Sequence, residues 1–363
     1  MNIDRLLNRF MDYVRCDSES RDELGFCEKL EAELRELGME VRRDGCGSEF
    51  GSNGFNIYAR MDGRGDPLLF CAHMDTVAPG KGINPVVEDG VIRSDGSTVL
   101  GADDKSGVAA IMEALASLAD SGDEHRTVEV LFTISEEVGL LGSKNADYSP
   151  ILSRSAVVLD SSSVGCIINN APATVRISAR VHGRSAHAAV APKTGAHALK
   201  AACAAIAAMP CGYVGDDTVM NVGTMACPGK TNIVPALAEF DMEIRSFSQE
   251  ELEARIAQSE AALREACAEF GTTYEFIVDR QTEVLYVDPT SPIVEELRSA
   301  FVSLGRTPRV ERTYGGSDAT WLHKNGIAAL NVGTGMQAVH GVSEHIAIAD
   351  LADTARLVER LMR

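Results

Sequence analysis

No paired-cysteine motif occurs in this sequence: its nine cysteines are scattered singly, with no C-x-x-C and an odd total. That argues against both a thiolate zinc site and a disulfide framework, and points to a reducing compartment. Positive charge is scarce too. Against 53 Asp and Glu stand 34 Lys and Arg, a net charge of -19, and such a field repels a nucleic-acid duplex or an anionic membrane. No run reaches the roughly 18 apolar residues that a membrane span needs; even "AACAAIAAMPCGYV" is short and broken by proline. The opening "MNIDRLLNRFMDYVRCD" is charged throughout and lacks the apolar core of a signal peptide, so a cytoplasmic location is expected. Internal repeats and low-complexity segments are also missing.

What is present is enough apolar residue, 45% of 363, for more than one core, and two domains are expected. Leu6, Phe10 and Val14 mark one helix face, and Phe26, Leu30 and Leu34 another. "FNIYARM", "LLFCA", "VEVLFTIS" and "SAVVLD" read as buried strands, and Val108, Met112, Leu115 and Leu118 as a helix between two of them. This alternation implies an α/β layer fold. From residue 172 the pattern becomes strict alternation: Val175, Ile177, Ala179 and Val181 interleave with polar residues. An alanine-rich helix near 194–209, strands near 218–227 and 236–245, a helix near 249–270 stopping at Gly271, and "TYEFIV" complete a βαββαβ, ferredoxin-like order. Residues 172–283 therefore read as a domain inserted into one built from 1–171 and 284–363.

In an open α/β sheet ligands bind beyond the carboxyl ends of the strands. "LLFCA" is followed by His73 and Asp75, "VLFTIS" by Glu136 and Glu137, "AVVL" by Asp160, and "AALNVGTGMQAV" by His340, while Asp103 and Asp104 open the buried helix. Taken singly these are ordinary; an acid after a strand is commonly a helix cap. Their coincidence is not, because so many clustered carboxylates would repel one another unless a cation neutralised them. Carboxylate and imidazole without cysteine suit zinc, with manganese or cobalt as substitutes. Two ions about 3.5–4 Å apart form a known hydrolytic arrangement. In such a site one of His73 and Asp75 ligates and the other fixes the ring tautomer.

"HMDTV", "GADDKSGVA", "ISEEVGLLG", "VVLDSSS", "GRSAHAAVAPKTGAHAL", "KTNIVP" and "HGVSE" together resemble the co-catalytic zinc metallopeptidase family of peptidase T, carboxypeptidase G, aminoacylase and succinyl-diaminopimelate desuccinylase. "RFMDYVRCDSES" and "GADDKSG" look most like the peptidase T-like members. The resemblance implies a zinc-peptidase-like α/β catalytic domain with an inserted lid and dimerisation domain, hence a homodimer. It implies His73, Asp103, Glu137, Asp160 and His340 as ligands of two zinc ions, with Asp103 bridging and a cis peptide to Asp104. Glu136 is implied as general base, with Asp75 beside His73. His187 falls on a histidine that stabilises the oxyanion of a neighbouring site, and Asn232, Arg245, Gly315 and Ser317 on substrate-contacting positions. His345 competes with His340, but the H-x-x-x-E spacing fits His340 and Glu344.

The implied activity is hydrolysis of small peptides, a tripeptide aminopeptidase first, with an N-acyl amino acid amidohydrolase, dipeptidase or carboxypeptidase of the same family as the alternative. Other chemistries find no support. "GRSAH" fails the G-x-S-x-G elbow at its last glycine. "GADDKSG" lacks the P-loop spacing. Cys71 lies inside an apolar run and reads as a packed thiol. A non-enzymatic binding protein on this scaffold would be expected to have lost a ligand or the base, and none is missing.

Overall fold

The computed structural model describes residues 1–363. The chain divides into two compact units: a larger one, Met1–Asn170, Leu285–Thr313 and Ser317–Arg363, and a smaller one, Ala171–Val284 with Tyr314–Gly316. An insertion expected over 172–283 from periodicity compares with Ala171–Val284 here. The return of Tyr314–Gly316 to the smaller unit has no periodic signal.

The larger unit is built on a mixed sheet. Its strands run in the order Glu40–Asp44, Asn56–Met61, Val128–Thr133, Leu68–His73, Ser155–Ser161, Ala328–Gly333, Cys166–Ala171 and Leu285–Tyr286, with Arg309–Arg312 pairing beside Cys166–Ala171. The four strands from Val128–Thr133 to Ala328–Gly333 are mutually parallel. Central parallel strands are covered on both faces, which is why Leu68–His73 and Val128–Thr133 are apolar runs buried at every position. From Leu68–His73 the chain passes to Val128–Thr133 on one side, and its next strand, Ser155–Ser161, pairs on the other. This reversal opens a crevice at the carboxyl ends of the strands.

The helix Ala102–Ser121 makes that crossover and is buried from Ala102 to Leu118. It packs on the strand Leu68–His73 and against the helices Ile3–Arg15 and Ile348–Met362. Gly122, in the left-handed conformation, ends it by donating its N–H to the Leu118 carbonyl. Farther along the helix a buried acid, Glu113, accepts from Arg5 Nε at 2.7 Å, Arg5 Nη2 at 3.0 Å and the Asn2 N–H at 2.7 Å, so its charge is tolerated on a helix that is otherwise mostly apolar. A small antiparallel sheet of Met336–Gln337, His345–Ala347, Val91–Arg93 and Val86–Glu88 completes the unit.

The smaller unit is an antiparallel sheet in the order Gly212–Tyr213, Thr218–Ala226, Leu237–Ser246, Ala173–His182 and Thr273–Thr282. With the helices Ala198–Ala208 and Gln249–Phe270 it has the ferredoxin-like order, extended by the two-residue strand at Gly212. Val175, Ile177, Ala179, Val181, Ala238, Phe240, Met242 and Ile244 form its core with both helices. Ser248 Oγ accepts the Glu251 N–H at the start of the long helix, and Gly271 closes it in the left-handed conformation. All nine cysteines are free, and no helix is long and apolar enough to cross a membrane.

Candidate metal and hydrolytic centre

The strand Leu68–His73 delivers its last residue, 2% exposed, to the crevice. His73 Nδ1 lies 3.0 Å from the Asp75 carbonyl oxygen and 3.4 Å from Asp75 Oδ1. An Nδ1–H donor therefore meets oxygen on that side, and Nε2 is directed at Asp103 Oδ1, 3.1 Å away. The tautomer is fixed chiefly by the carbonyl of Asp75, not by its carboxylate. That carboxylate accepts the N–H groups of Glu136 at 2.9 Å and Glu137 at 3.2 Å, and Ser20 Oγ at 2.7 Å. Asp75 thus ties the loop carrying the glutamate pair to the histidine strand. Burial works to raise its pKa, but the hydrogen bonds from His73, Ser20 and Glu136 hold it below the usual carboxylate range.

Asp103 stands between the two imidazoles. Its Oδ1 faces His73, and its Oδ2 is 3.2 Å from His340 Nε2, which is also 2.9 Å from Glu137 Oε2. The Asp103–Asp104 peptide is cis. Asp103 is held from behind by a residue to which sequence reasoning gives only a spacing role: Glu344, 1% exposed, accepts the N–H groups of Leu100 at 2.7 Å, Gly101 at 2.8 Å and Asp103 at 3.0 Å. His340 is half-exposed and has φ +62°, a strained value for a residue with a Cβ, of the kind that gathers at functional sites. His345 instead pairs its Nδ1 with the Ser343 carbonyl and takes no part in the cluster.

Asp160 reaches the same place from Ser155–Ser161. Its N–H donates to Asn331 Oδ1 and its carbonyl accepts from Asn331 Nδ2, a clamp from the adjacent parallel strand. One ligand atom each from His73, Asp104 and Asp160 lie within 4.8 Å of one another, as do those from His73, Asp103 and Glu137. Asp104 is the addition to the expected set. Its oxygens accept the N–H groups of His73 at 3.3 Å and Gly107 at 3.1 Å, so it ties the strand end to the helix start.

The electrostatics favour a cation. Burial pushes Asp104, Glu136, Asp160 and Glu137 above the usual carboxylate range, and neighbouring carboxylates add to it. His340 is pushed up to about 10 by its hydrogen bonds to Asp103 and Glu137. Burial disfavours a charged His73, but Asp103 and Asp75 still raise it. Glu137 Oε1 is buried with no hydrogen-bond partner, which a structure tolerates rarely without a functional reason. Oxygen and imidazole donors, one carboxylate turned to two histidines and an orphaned carboxylate oxygen all fit divalent cations.

The remaining expected residues belong to the smaller unit or to the loop before Asp318. His187 is exposed, and its Nδ1 accepts the N–H groups of Ala189 at 3.3 Å and Val190 at 3.2 Å, which leaves the ring proton on Nε2. Asn232 is exposed, and its carbonyl accepts the Ala188 N–H. Arg245 donates Nε to Glu243 Oε1 and Nη1 to the Tyr314 carbonyl, both at 2.7 Å, so two of its three nitrogens already have partners. Gly315 is exposed. Ser317 is 4% exposed, and its carbonyl accepts the N–H and Oγ of Thr320, a helix-starting role rather than an open contact position. The next residue, Asp318, is not among the expected ones; buried, it accepts Thr133 Oγ1 and Ser143 Oγ at 2.5 Å each.

Known proteins match this chain over nearly its whole length. The uncharacterized protein YqjE of Bacillus subtilis (strain 168) is 36% identical over 361 residues, 99% of this chain and 97% of that one. A crystal structure of aminopeptidase PepT from Bacillus cereus superposes with a TM-score of 0.94 at 36% identity, covering 100% and 98% of the two chains. A tripeptidase from Staphylococcus aureus gives 0.93 at 30% identity, again 100% and 98%. Peptidase T of Vibrio cholerae is 28% identical, over 98% of this chain and 97% of its own. Residues 69–363 match the model of peptidase family M20/M25/M40, and with the two-unit α/β fold and the acid–imidazole cluster at its strand ends, the chain belongs to that family.

Proposed function

We propose that the protein is a two-metal aminopeptidase that releases the N-terminal residue of tripeptides. The observation that carries this reading is Asp103 turned to both His73 and His340, in a chain that matches an aminopeptidase and a tripeptidase from end to end. His73, Asp103 and Asp160 would hold one zinc-type ion, and Asp103, Glu137 and His340 the other, with cobalt or manganese able to substitute. Bound there, the ions would polarise the scissile carbonyl and acidify water.

The chain's own residues carry the proton and the orientation. Glu136, whose carboxyl is pushed above the usual carboxylate range by burial and by Asp318, Glu137 and Asp75, against the charge of His73, is the candidate general base. It takes the proton of the attacking water and returns it to the departing amine. Asp75 sets the angle of both His73 and the Glu136–Glu137 turn. His187, with its proton on Nε2, is the donor for the oxyanion of a partner subunit's site. The unpartnered Nη2 of Arg245 is suited to a peptide carboxylate through one nitrogen; a two-pronged grasp would have to displace Glu243 or Tyr314. The smaller unit is proposed as lid and dimerisation domain, and the cytoplasm as the site of action, in keeping with nine free thiols.

The test is incubation of zinc-loaded protein with a panel of tripeptides, dipeptides and N-acyl amino acids, products identified by mass. Release of the N-terminal residue from tripeptides is the expected result. Cleavage of N-acyl amino acids or dipeptides with tripeptides untouched would replace this reading with the amidohydrolase or dipeptidase one.

A further inference from the structure

The loop that carries Glu136 and Glu137 is closed on itself. Gly142 and Leu141 donate their N–H groups to the carbonyls of Ile134 at 3.0 Å and Ser135 at 3.1 Å. Asn56 bridges the same two ends, accepting the Ile134 N–H and donating to the Gly142 carbonyl. At the start of the loop Ser135 is fully buried and has φ +53°, a left-handed conformation that a residue with a Cβ adopts only when its surroundings impose it. The direction in which Glu136 leaves the backbone depends on that turn.

One side chain accepts both hydrogen-bond donors of Ser135. Glu23, 0% exposed, accepts both the N–H of Ser135 at 3.0 Å and its Oγ at 2.7 Å on the single oxygen Oε1. The same oxygen accepts the Arg21 N–H at 2.8 Å, while Oε2 accepts Ser52 Oγ at 2.6 Å. Glu23 comes from a segment that also grips the histidine strand. Ser18 Oγ donates to the Met74 carbonyl, Ser18 and Ser20 exchange backbone hydrogen bonds with Thr76, and Ser20 Oγ donates to Asp75. Residues 18–23 thus fasten the two loops that present His73, Asp75, Glu136 and Glu137, although they precede the stretch matched by the family model.

We propose that Glu23 is a positioning residue for the catalytic base: by satisfying both donors of Ser135 it keeps that residue left-handed and so aims the Glu136 carboxylate. This rests on the reading of Glu136 as base. With Glu23 gone, two buried donors lose their acceptor and Ser135 is free to relax to negative φ, turning Glu136 away from the attacking water. A misplacement of the base by about 1 Å can cost about 10²-fold in rate.

The experiment compares wild type, Glu23→Ala, Glu23→Gln and Glu136→Gln on trialanine, with metal content by elemental analysis and thermal melting for each. Glu23→Ala is expected to keep two metals and a cooperative melt, lose about tenfold or more in kcat and leave KM unchanged. Glu23→Gln keeps an oxygen able to accept both Ser135 donors and is expected to recover most of that loss. Wild-type kcat in Glu23→Ala, or a loss confined to KM or metal content, overturns the proposal. Should Glu23→Ala not melt cooperatively, Ser135→Ala decides: a fall in kcat of about threefold or more at constant KM supports it, and wild-type kcat overturns it. An inactive Glu136→Gln beside a fully active Glu23→Ala removes this proposal alone. Full turnover by Glu136→Gln removes the base assignment and this proposal with it.

Discussion

Glu344→Gln isolates one hydrogen bond behind the acid–imidazole cluster. In the native protein both Glu344 oxygens face N–H donors, Leu100 and Gly101 on Oε2 and Asp103 on Oε1. Burial raises the Glu344 carboxyl, and these three N–H groups act against that. An amide has one oxygen. Placed toward Leu100 and Gly101, where it satisfies two donors, it leaves its NH2 facing the Asp103 N–H at about the present 3.0 Å, donor against donor. Losing a charge-assisted hydrogen bond to a buried N–H costs about 1.5–3 kcal/mol, and the residue displaced is the one carboxylate turned to both His73 and His340. Loss of an outer partner of a metal ligand lowers metal affinity about 10–100-fold, or about 1.4–2.8 kcal/mol, the same order as the hydrogen bond. Zinc titration against a competing chelator, with urea unfolding of both metal-free proteins alongside, measures the two quantities. Wild-type zinc affinity in a variant that has lost stability would show that Glu344 supports the fold and not Asp103, and the account of the site would be wrong there.

Two further consequences concern the framework. A Cβ at Gly107 would sit 2.6 Å from Asp104 Oδ1 and 2.7 Å from the Leu159 carbonyl, so Gly107→Ala is expected to destabilise by about 1–3 kcal/mol or more in urea unfolding, with metal affinity falling as well. Glu31, gripped by Arg43 and Arg35, is lowered from 4.5 to about 2, the Arg43 hydrogen bonds being the main cause. A depressed folded-state value means stabilisation present above pH 4.5 and lost as pH falls toward 2; the difference in melting temperature between wild type and Glu31→Gln should therefore shrink across that window, and a constant difference would refute it.

Much of the fold was legible because burial writes itself into sequence. Parallel strands covered on both faces must be apolar runs, so "LLFCA" and "VEVLFT" announce themselves, and the residues just after each run land on the crevice. The alternation of Val175 to Val181 and of Ala238 to Ile244 likewise marks a sheet with one wet face. The short strands, such as Val86–Glu88 and Met336–Gln337, carry too few residues for a period to show. The residues in the cluster were legible as acids and histidines at strand ends, but the residues that hold them were not. Glu344, Asn331, Glu23 and Asp318 act through hydrogen bonds on groups between 112 and 244 positions away, and, Glu344 apart, nothing in local spacing announces such partners. For Glu344 a clue existed in its distance from His340; for the backbone role of Asp75, the open Nη2 of Arg245 and the burial of Ser317 there was none.

This cluster of carboxylates and imidazoles is proposed to hold two divalent cations. Metal-stripped protein dialysed against zinc and analysed for bound metal should retain two ions per chain, and Asp103→Asn, which removes the carboxylate shared by His73 and His340, should retain fewer. Wild-type protein that keeps no zinc, or an Asp103→Asn variant that keeps both ions at undiminished affinity, would contradict the account.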